Sequence, residues 1–178
     1  MRFLANRQRG GAVWETVKFA AIVALIVIPI RIYIAQPFIV NGLSMYPTFN
    51  NGDYLIIDEF SYNFLREPTR GEVIVFHPPI AGARYFIKRV VGIPGETVEV
   101  KGGKVLVNGE VLPEPYLEQV TALDGSWNLD KNEYFVMGDN RGSSSDSRVW
   151  GKLPEQNIVG RALFRLWPVT RSAYLPGQ

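Results

Sequence analysis

The chain has 178 residues, with 19 lysines and arginines, 17 aspartates and glutamates, one histidine and no cysteine. This length suits one domain with a small appendage. The absence of cysteine excludes a disulfide framework, a thiol nucleophile and cysteine-ligated zinc, and a single histidine disfavours a transition-metal site. Any enzymatic chemistry must therefore come from serine, threonine, lysine, tyrosine or carboxylate side chains.

The excess of positive charge lies at the N-terminus. Residues 1–18 contain four basic side chains and one acidic one, so the rest of the chain is slightly acidic. A protein that binds nucleic acid usually carries a basic patch on its folded surface. The charge distribution therefore predicts no nucleic-acid partner.

An apolar segment follows this basic arm. Residues 17–35 contain only two charged side chains, Lys18 and Arg31, and residues 19–30 read FAAIVALIVIPI. Roughly 20 apolar residues span a bilayer core, and this segment is apolar on every face rather than along one stripe. We therefore predict a transmembrane anchor over 17–35, preceded by a cytoplasmic arm over 1–16.

Two alternatives to the anchor stay open, a cleaved secretory signal and a buried helix of a soluble protein. A cleavable signal needs small residues one and three positions before the cut, whereas Tyr33 occupies the third position before a cut after Ala35. Three arginines precede the span, and neither lysine nor arginine occurs between Gln36 and Leu65. The positive-inside rule then predicts a cytoplasmic N-terminus, with residues 36–178 on the other side of the membrane.

The body of the chain, residues 36–178, has the pattern of a β protein. Short runs rich in Val, Ile, Phe and Tyr alternate with Gly and Pro, and Asn108-Gly109 is a strong hairpin signal. We predict a mostly β fold, a sandwich or a barrel, with a small inserted hairpin at about 100–131. The predicted strands are Phe38–Asn41, Asp53–Glu59, Glu72–His77, Arg84–Ile93, Thr97–Lys101, Lys104–Val107, Glu110–Leu112, Glu133–Met137 and Ile158–Leu166.

Two single residues of the body could do chemistry. Ser44 lies in the segment GLSMYPT, and a serine between Gly and Pro is most often only a turn former. Lys88 lies in an otherwise apolar strand, where a lysine usually points to solvent. A buried lysine would instead have a lowered pKa, because burial disfavours the ammonium, and it could serve as a general base.

Two further places are less specific. The segment GDNRGSSSDSR at 138–148 has the composition of a loop, in which Asp146 and Arg148 could form an ion pair, and it lacks the Gly-Lys-Ser/Thr of a phosphate-binding loop. His77 precedes two prolines, which suggests the end of a strand. We expect this lone histidine to be structural or exposed rather than catalytic.

The order of these features along the chain resembles that of bacterial type I signal peptidases, also known as leader peptidases. The resemblance covers about 36–100 and 132–168, and it includes little of the N-terminal arm or of 101–131. It implies a signal-peptidase-like β-fold catalytic domain after a single N-terminal transmembrane helix. The segments that carry it are SMYPT at 44–48, GDYLIIDEF at 52–60, RGEVIVF at 70–76, YFIKRVVGIPGE at 85–96 and GDNRGSSSDSRVWG at 138–151.

The resemblance implies a role for each matching residue. Ser44 is expected to be the nucleophile, Lys88 the general base and Ser144 the residue whose hydroxyl orients that base. Two structural ion pairs are expected near the site, and they join Asp146 to Arg148 and Arg89 to Asp139.

The substrate is expected to bind as an extended peptide between two strands, Phe38–Asn41 and Phe86–Lys88, by β-augmentation. The side chains of these strands are expected to form the pockets that accept small residues of the substrate. The expected substrate-binding residues are Phe38, Val40, Asn41, Phe86 and Ile87.

One position departs from the pattern of some members. Those members carry a serine two residues before the nucleophile, and its hydroxyl helps to stabilise the oxyanion, whereas this chain has Gly42 there. The loss of one such donor can cost ~10²–10³ in rate. Because other members also carry glycine at this position, the resemblance still implies an active enzyme. Its oxyanion hole would consist of the backbone N–H groups of Ser44 and Gly42, chiefly that of Ser44.

The function implied is that of a membrane-bound serine endopeptidase with a Ser–Lys dyad and no cofactor or metal. Its substrates would be the signal peptides of exported preproteins, cut after small-x-small sites. It would work as a monomer on the extracytoplasmic side of a plasma or thylakoid-type membrane. We also expect the body to bind the lipid bilayer through an apolar patch formed by Met45, Phe49, Phe60, Tyr62, Phe64 and Leu65.

Two other functions are compatible with parts of the sequence. The repressor autoproteases of the SOS response also use a Ser–Lys pair, but they are soluble and carry a DNA-binding helical domain. A membrane-anchored β module that only binds peptides would need none of Ser44, Lys88 and Ser144. A covalent serine probe separates this module from an enzyme, since only an enzyme would be labelled.

Overall fold

The computed structural model describes residues 6–33, 35–82, 85–117 and 120–177, without the side chains of 6–12, 26 and 28–35. The chain forms two compact units, residues 1–35 and residues 36–178.

The N-terminal unit contains one helix, α1 (Asn6–Tyr33). The predicted anchor over 17–35 falls partly outside the described residues, because the side chains of 26 and 28–35 are not described. Within the described part of the chain, no helix combines the length and the apolar character that a membrane crossing requires.

The body is mostly β, as the sequence predicts. Its main sheet has eight strands, seven of them in the order β1-β2-β11-β3-β4-β9-β10, and β12 pairs with the end of β11. A second sheet has the order β7-β6-β5-β8. The strands are β1 (Ala35–Ile39), β2 (Tyr54–Asp58), β3 (Val73–Phe76), β4 (Phe86–Gly92), β5 (Thr97–Lys101), β6 (Lys104–Val107), β7 (Glu110–Val111), β8 (Gly125–Asn128), β9 (Glu133–Met137), β10 (Leu153–Pro154), β11 (Ile158–Trp167) and β12 (Ala173–Tyr174).

The second sheet contains most of the segment predicted as an insert. Its β6–β7 hairpin turns at Asn108 and Gly109, whose φ angles are 51° and 85°. Positive φ at both central residues is the requirement of the tight turn that an Asn-Gly pair favours. Its buried valines, on β5 and β6, pack with Phe135 and Met137 of the main sheet.

The first predicted strand is shifted towards the N-terminus. It was expected over Phe38–Asn41, whereas β1 runs over Ala35–Ile39. Pro37 is tolerated because β1 is an edge strand, where one N–H can face away from the ladder. Beyond the strand, Val40 still donates its N–H to Asp53 O at 2.9 Å.

Several other elements were not predicted, because they are too short to produce a recognisable pattern in the sequence. Strands β8, β10 and β12 were not predicted, nor were the short helices α2 (Phe60–Phe64) and α3 (Ser147–Trp150). The predicted strand over Arg84–Ile93 begins at Phe86 in the structure, and Arg84 lies outside the described residues. Elements of two to five residues carry too few side chains to show a period.

A hydrophobic cluster lies directly beneath the Ser44 turn. Met45 and Phe49 are 1% and 0% exposed, and they pack with Leu55, Ile57 and other side chains of the main sheet. These two residues were expected on an apolar surface patch, and that expectation is wrong. The N–H of Phe49 donates to Met45 O at 2.8 Å, so the segment forms one helical turn whose i and i+4 side chains both face the core.

Candidate active site

Ser44 lies in a tight turn after β1. Its carbonyl accepts the N–H of Asn140 at 3.0 Å, which joins this turn to the loop at 138–148. Gly138 makes this approach possible, because a Cβ at that position would lie only 2.5 Å from Ser44 O. The buried side chain of Met45 holds the next residue in the core. The serine therefore stands on a turn whose backbone is fixed on two sides.

Lys88 reaches this turn from β4, a strand of the same sheet as β1. Its Nζ lies 2.8 Å from Ser44 Oγ and 2.8 Å from Ile87 O, and only 4% of the residue is exposed. Burial lowers the pKa of Lys88 to about 8, against an opposing effect of the charges of Asp146 and Asp139. The lysine is thus buried rather than directed to solvent, and a large fraction of it can be neutral near pH 8.

The two predicted ion pairs are both present and buried. Arg89 Nε lies 2.8 Å from Asp139 Oδ1, and Arg89 Nη2 lies 2.5 Å from Asp139 Oδ2. Arg148 meets both carboxylate oxygens of Asp146 at 2.8 Å. Such two-point pairs are geometrically specific as well as strong. They fix the strand of Lys88 and the loop at 138–148.

Ser144 is close to the site but is not bonded to Lys88. Its Oγ is buried and has no hydrogen-bond partner in the part of the chain that the structure describes. It packs against Gly138, where a Cβ would lie 2.2 Å from Ser144 Oγ. The hydrogen bond through which Ser144 was expected to orient the lysine is therefore not formed in this structure.

The backbone at Gly42 differs from the expectation for an oxyanion hole. Its N–H donates to Asn51 Oδ1 at 2.8 Å, so that N–H is not free to bind an oxyanion in this structure. The residue has φ of +96°, which favours glycine over any residue with a side chain. The N–H of Ser44, in contrast, donates to no acceptor among the described residues. Sequence reasoning gave no signal for Asn51.

A cleft of about 520 Å³ leads to Ser44 and Lys88. Strand β4 pairs with β3 along Phe86–Arg89, but its pairing with β9 begins only at Arg89. The segment Phe86–Lys88 therefore has one free edge, and β1 is itself an edge strand. The lining includes all five predicted substrate-binding residues, Phe38, Val40, Asn41, Phe86 and Ile87, together with Ile39, Leu55, Val75, Tyr85 and Ser145, which were not predicted.

Residues of the insert also support the site, although sequence reasoning assigned them no role. The ring of Tyr116 lies 3.9 Å from the guanidinium carbon of Arg89. Arg141, in the loop at 138–148, forms an ion pair with Glu114 and a hydrogen bond to Thr121. These contacts join segments that are distant in sequence, so no local pattern could have shown them.

His77 is not among the residues that line the cleft at Ser44 and Lys88. It is exposed, and the centre of its ring lies 4.5 Å from that of Tyr85, at an angle of 40° between the two rings. This position agrees with the expectation that His77 is not part of the catalytic machinery.

Comparisons with known proteins agree on one family. A family model described as "Signal peptidase, peptidase S26" matches residues 13–167. A signal peptidase I from Leptolyngbya laminosa is 42% identical over 167 residues, covering 88% of this chain and 81% of that protein. A signal peptidase I from Bacillus amyloliquefaciens is 34% identical, covering 91% and 89%. The chloroplastic thylakoidal processing peptidase 1 of Arabidopsis thaliana is 35% identical, covering 92% and 54%.

Proposed function

The chain belongs to the signal peptidase family, peptidase S26, and we propose that it removes signal peptides from exported preproteins, with Ser44 as its nucleophile and Lys88 as its general base. The observation that carries this proposal is the 2.8 Å distance between Ser44 Oγ and the buried Lys88 Nζ. A nucleophile within hydrogen-bond reach of a base with a lowered pKa is the arrangement that nucleophilic catalysis requires.

The reaction follows from this geometry. Neutral Lys88 takes the proton of Ser44 Oγ while that oxygen attacks the carbonyl carbon of the scissile peptide bond. The protonated lysine then gives its proton to the leaving amine as the C–N bond breaks. Water, deprotonated by Lys88, hydrolyses the ester and releases Ser44. Histidine, metal and cofactor have no part in these steps.

The oxyanion of this reaction needs hydrogen-bond donors. We assign the backbone N–H of Ser44, which has no acceptor among the residues described here. Gly42 joins it only if its N–H leaves Asn51 when substrate binds. Ser144 is proposed to orient Lys88 during the reaction, because its buried hydroxyl has no competing partner in the described structure.

The substrate is proposed to lie as an extended strand between β1 and the free edge of Phe86–Lys88. Main-chain hydrogen bonds would hold it, and pockets along the cleft would select alternate side chains. Bulky residues, among them Phe38, Val40 and Ile87, line the cleft. We therefore expect small residues at the two pocket positions, and a peptide with leucine directly before the cut should be refused. Efficient hydrolysis of that peptide would contradict this placement of the groove.

The N-terminal segment is proposed to anchor the enzyme. Residues 17–35 would span the membrane with the arm over 1–16 in the cytoplasm and the body on the extracytoplasmic side. The relatives include bacterial signal peptidases and a thylakoidal processing peptidase, which supports a plasma or thylakoid-type membrane. One copy of the chain contains both Ser44 and Lys88, so we propose that a monomer is sufficient.

The body is also proposed to contact lipid directly. Of the six residues expected to form an apolar patch, Phe60, Phe64 and Leu65 are exposed, and the rings of Phe60 and Phe64 lie 5.0 Å apart. Exposed apolar residues that lie together usually mark an interaction surface. A protein that begins at Gln36 should float with liposomes, and a Phe64→Ser/Leu65→Ser variant should float less. Recovery of the unaltered body only in the soluble fraction would contradict this contact.

Replacing Ser44 with alanine tests the proposed function. In full-length protein with a radiolabelled preprotein in detergent, Ser44→Ala should lower kcat by on the order of 10⁶, since one oxygen is removed from a turn whose backbone is otherwise supported. The melting temperature should stay near that of the wild type. Comparable cleavage by the variant would rule out this nucleophile. A covalent serine probe that leaves Ser44 unlabelled would favour a peptide-binding module instead.

A further inference from the structure

Two arginines near the C-terminus donate hydrogen bonds to backbone carbonyls of the Ser44 turn. Arg165, on β11, places Nη1 2.7 Å from Thr48 O. Arg171 places Nη2 3.2 Å from Pro47 O and 3.3 Å from Thr48 O. Hydrogen bonds from a charged donor are roughly twice as strong as neutral ones. Two guanidinium groups thus meet at the carbonyl four residues after the nucleophile.

Arg165 is itself held in one orientation. Its Nε donates to Arg171 O at 2.6 Å, and its Nη1 lies 3.4 Å from Asp53 Oδ2. The guanidinium carbon lies 5.4 Å from the ring centre of Phe49, whose side chain is fully buried. Only 11% of the Arg165 side chain is exposed, so its conformation is already restricted by these contacts. Its hydrogen bond to the turn therefore costs little further side-chain entropy, and Arg165 can hold the turn rigidly.

The same turn is held on a second side by the buried pair of Arg89 and Asp139. Thr48 donates its hydroxyl to Asp139 Oδ2 at 2.5 Å, and Arg89 donates to the carbonyl of Gly177. The C-terminal residues therefore contact both the Ser44 turn and the arginine next to Lys88. The turn that carries Ser44 and the strand that carries Lys88 are therefore both held by contacts with the same C-terminal segment.

We propose that Arg165 and Arg171 are positioning residues, which hold Ser44 Oγ at hydrogen-bond distance from Lys88 Nζ. This proposal rests on the proposed function, in which these two atoms exchange a proton. Neither arginine is among the residues that line the cleft, so neither is expected to touch substrate. A misplacement of about 1 Å by a remote change can cost ~10²-fold in rate.

The test compares kcat, KM and the pH dependence of kcat/KM for full-length variants with a signal-peptide substrate. Arg165→Ala should lower kcat by about 10²-fold with KM nearly unchanged. The acid limb of its profile should move to higher pH, because a displaced turn lets water reach Lys88 and raises its pKa. Arg165→Lys should recover part of kcat, since an ammonium can still donate to Thr48 O. Arg171→Ala should show the same changes to a smaller extent.

Arg161 provides a matched control on the same strand. Its guanidinium pairs with Asp58 at 3.0 Å and contacts Ser61 and Glu72, and its side chain is 15% exposed. None of these partners belongs to the Ser44 turn. Arg161→Ala should therefore lower the melting temperature, as we also expect for Arg165→Ala, while kcat and the acid limb stay at their wild-type values.

Several outcomes would overturn the proposal. Wild-type kcat and acid limb in Arg165→Ala would show that the turn needs no support from Arg165. An equal loss of kcat in Arg161→Ala would show that the effect is general destabilisation. If Arg165→Ala does not fold, Arg165→Lys and Arg171→Ala decide by the same readouts. An active Ser44→Ala would overturn the proposed function, whereas an inactive Ser44→Ala with unaffected arginine variants would overturn only the positioning role.

Discussion

Two adjacent cations on β4, Lys88 and Arg89, lie in buried but chemically different surroundings. Arg89 meets the carboxylate of Asp139 through two hydrogen bonds, whereas Lys88, among the residues that the structure describes, has only the hydroxyl of Ser44 and the carbonyl of Ile87 within hydrogen-bond distance. The ion pair with Asp139 fixes Arg89 and its strand. Burial lowers the pKa of Lys88 to about 8, because it disfavours the ammonium. One strand therefore carries both a structural cation and the proposed base.

The strand edge changes at the same place. Phe86–Lys88 is paired with β3 alone, Arg89 is paired with both β3 and β9, and the rest of β4 is paired with β9. The half of β4 before Arg89 therefore keeps one free edge, to which we propose that the substrate peptide binds. In this proposal, a single strand joins the rigid sheet to the substrate groove.

The largest expected effect comes from making Lys88 a permanent cation. Lys88→Arg keeps the charge but cannot release a proton, so it should be as inactive as Lys88→Ala. In the wild type, kcat/KM should fall as the pH drops below about 8, because Lys88 then becomes protonated. A pH–rate series on the three proteins measures this. Appreciable activity of Lys88→Arg would show that another group is the base.

A smaller effect is expected when the partner of Arg89 is neutralised. Asp139→Asn leaves Arg89 buried without a carboxylate, and breaking a buried pair in this way costs about 3–5 kcal/mol of stability. The charge of Asp139 also raises the pKa of Lys88. Its removal should therefore move the acid limb of kcat/KM to lower pH in the protein that remains folded. Chemical denaturation measures the loss of stability, and a pH–rate profile measures the shift of the acid limb. An acid limb that does not shift would show that the charge of Asp139 has no effect on the pKa of Lys88.

A weaker test is the hydroxyl that joins the Ser44 turn to the Arg89 pair. Thr48→Val removes the hydrogen bond to Asp139 Oδ2 and keeps nearly the same shape. Because Asp139 retains Arg89, the stability loss should be about 1–3 kcal/mol, with a modest decrease in kcat. Thermal unfolding and steady-state kinetics check this result. A loss as large as that of Asp139→Asn would mean that the hydroxyl, rather than the ion pair, holds the turn.

The smallest effect is expected at His77. His77 is not among the residues that line the cleft, although its ring contacts that of Tyr85, which is. His77→Ala should therefore leave the rate and its pH profile nearly unchanged and cost a little stability. The same pH–rate assay used for Lys88 serves here. An inactive His77→Ala together with an active Lys88→Arg would replace the Ser–Lys mechanism with a Ser–His one.

The local features of the site were accessible from the sequence, whereas its non-local supports were not. Ser44, Lys88 and the two ion pairs lie in segments that resemble a known family, and the groove strands have a clear β pattern. Arg165 and its acceptor at Thr48 are separated by 117 residues, so no local pattern could join them. The hydrogen bond from Gly42 N–H to Asn51 Oδ1 could not be predicted for the same reason, since Asn51 lies nine residues further along the chain, across a turn.

One expectation failed because a turn can redirect side chains. Met45 and Phe49 were assigned to an apolar surface patch, but one helical turn directs both into the core. The orienting role of Ser144 stays a proposal, because its hydroxyl has no partner among the described residues. Sequence position gives the neighbourhood of a side chain but not the rotamer that completes a hydrogen bond.

The unpaired burial of Lys88 also has a consequence for folding. A lysine whose pKa is about 8 in the native state, against an ordinary value of 10.5, opposes folding below pH 8, because the unfolded chain binds the proton more tightly. This penalty is on the order of 3 kcal/mol, and it fades as the pH rises from about 8 to 10.5. Lys88→Met should therefore unfold at a higher denaturant concentration than the wild type at pH 7, and the two curves should converge by pH 10.5. The low proton affinity that suits Lys88 to its proposed role as a base therefore makes the native protein less stable at neutral pH than a variant with an uncharged side chain of similar shape.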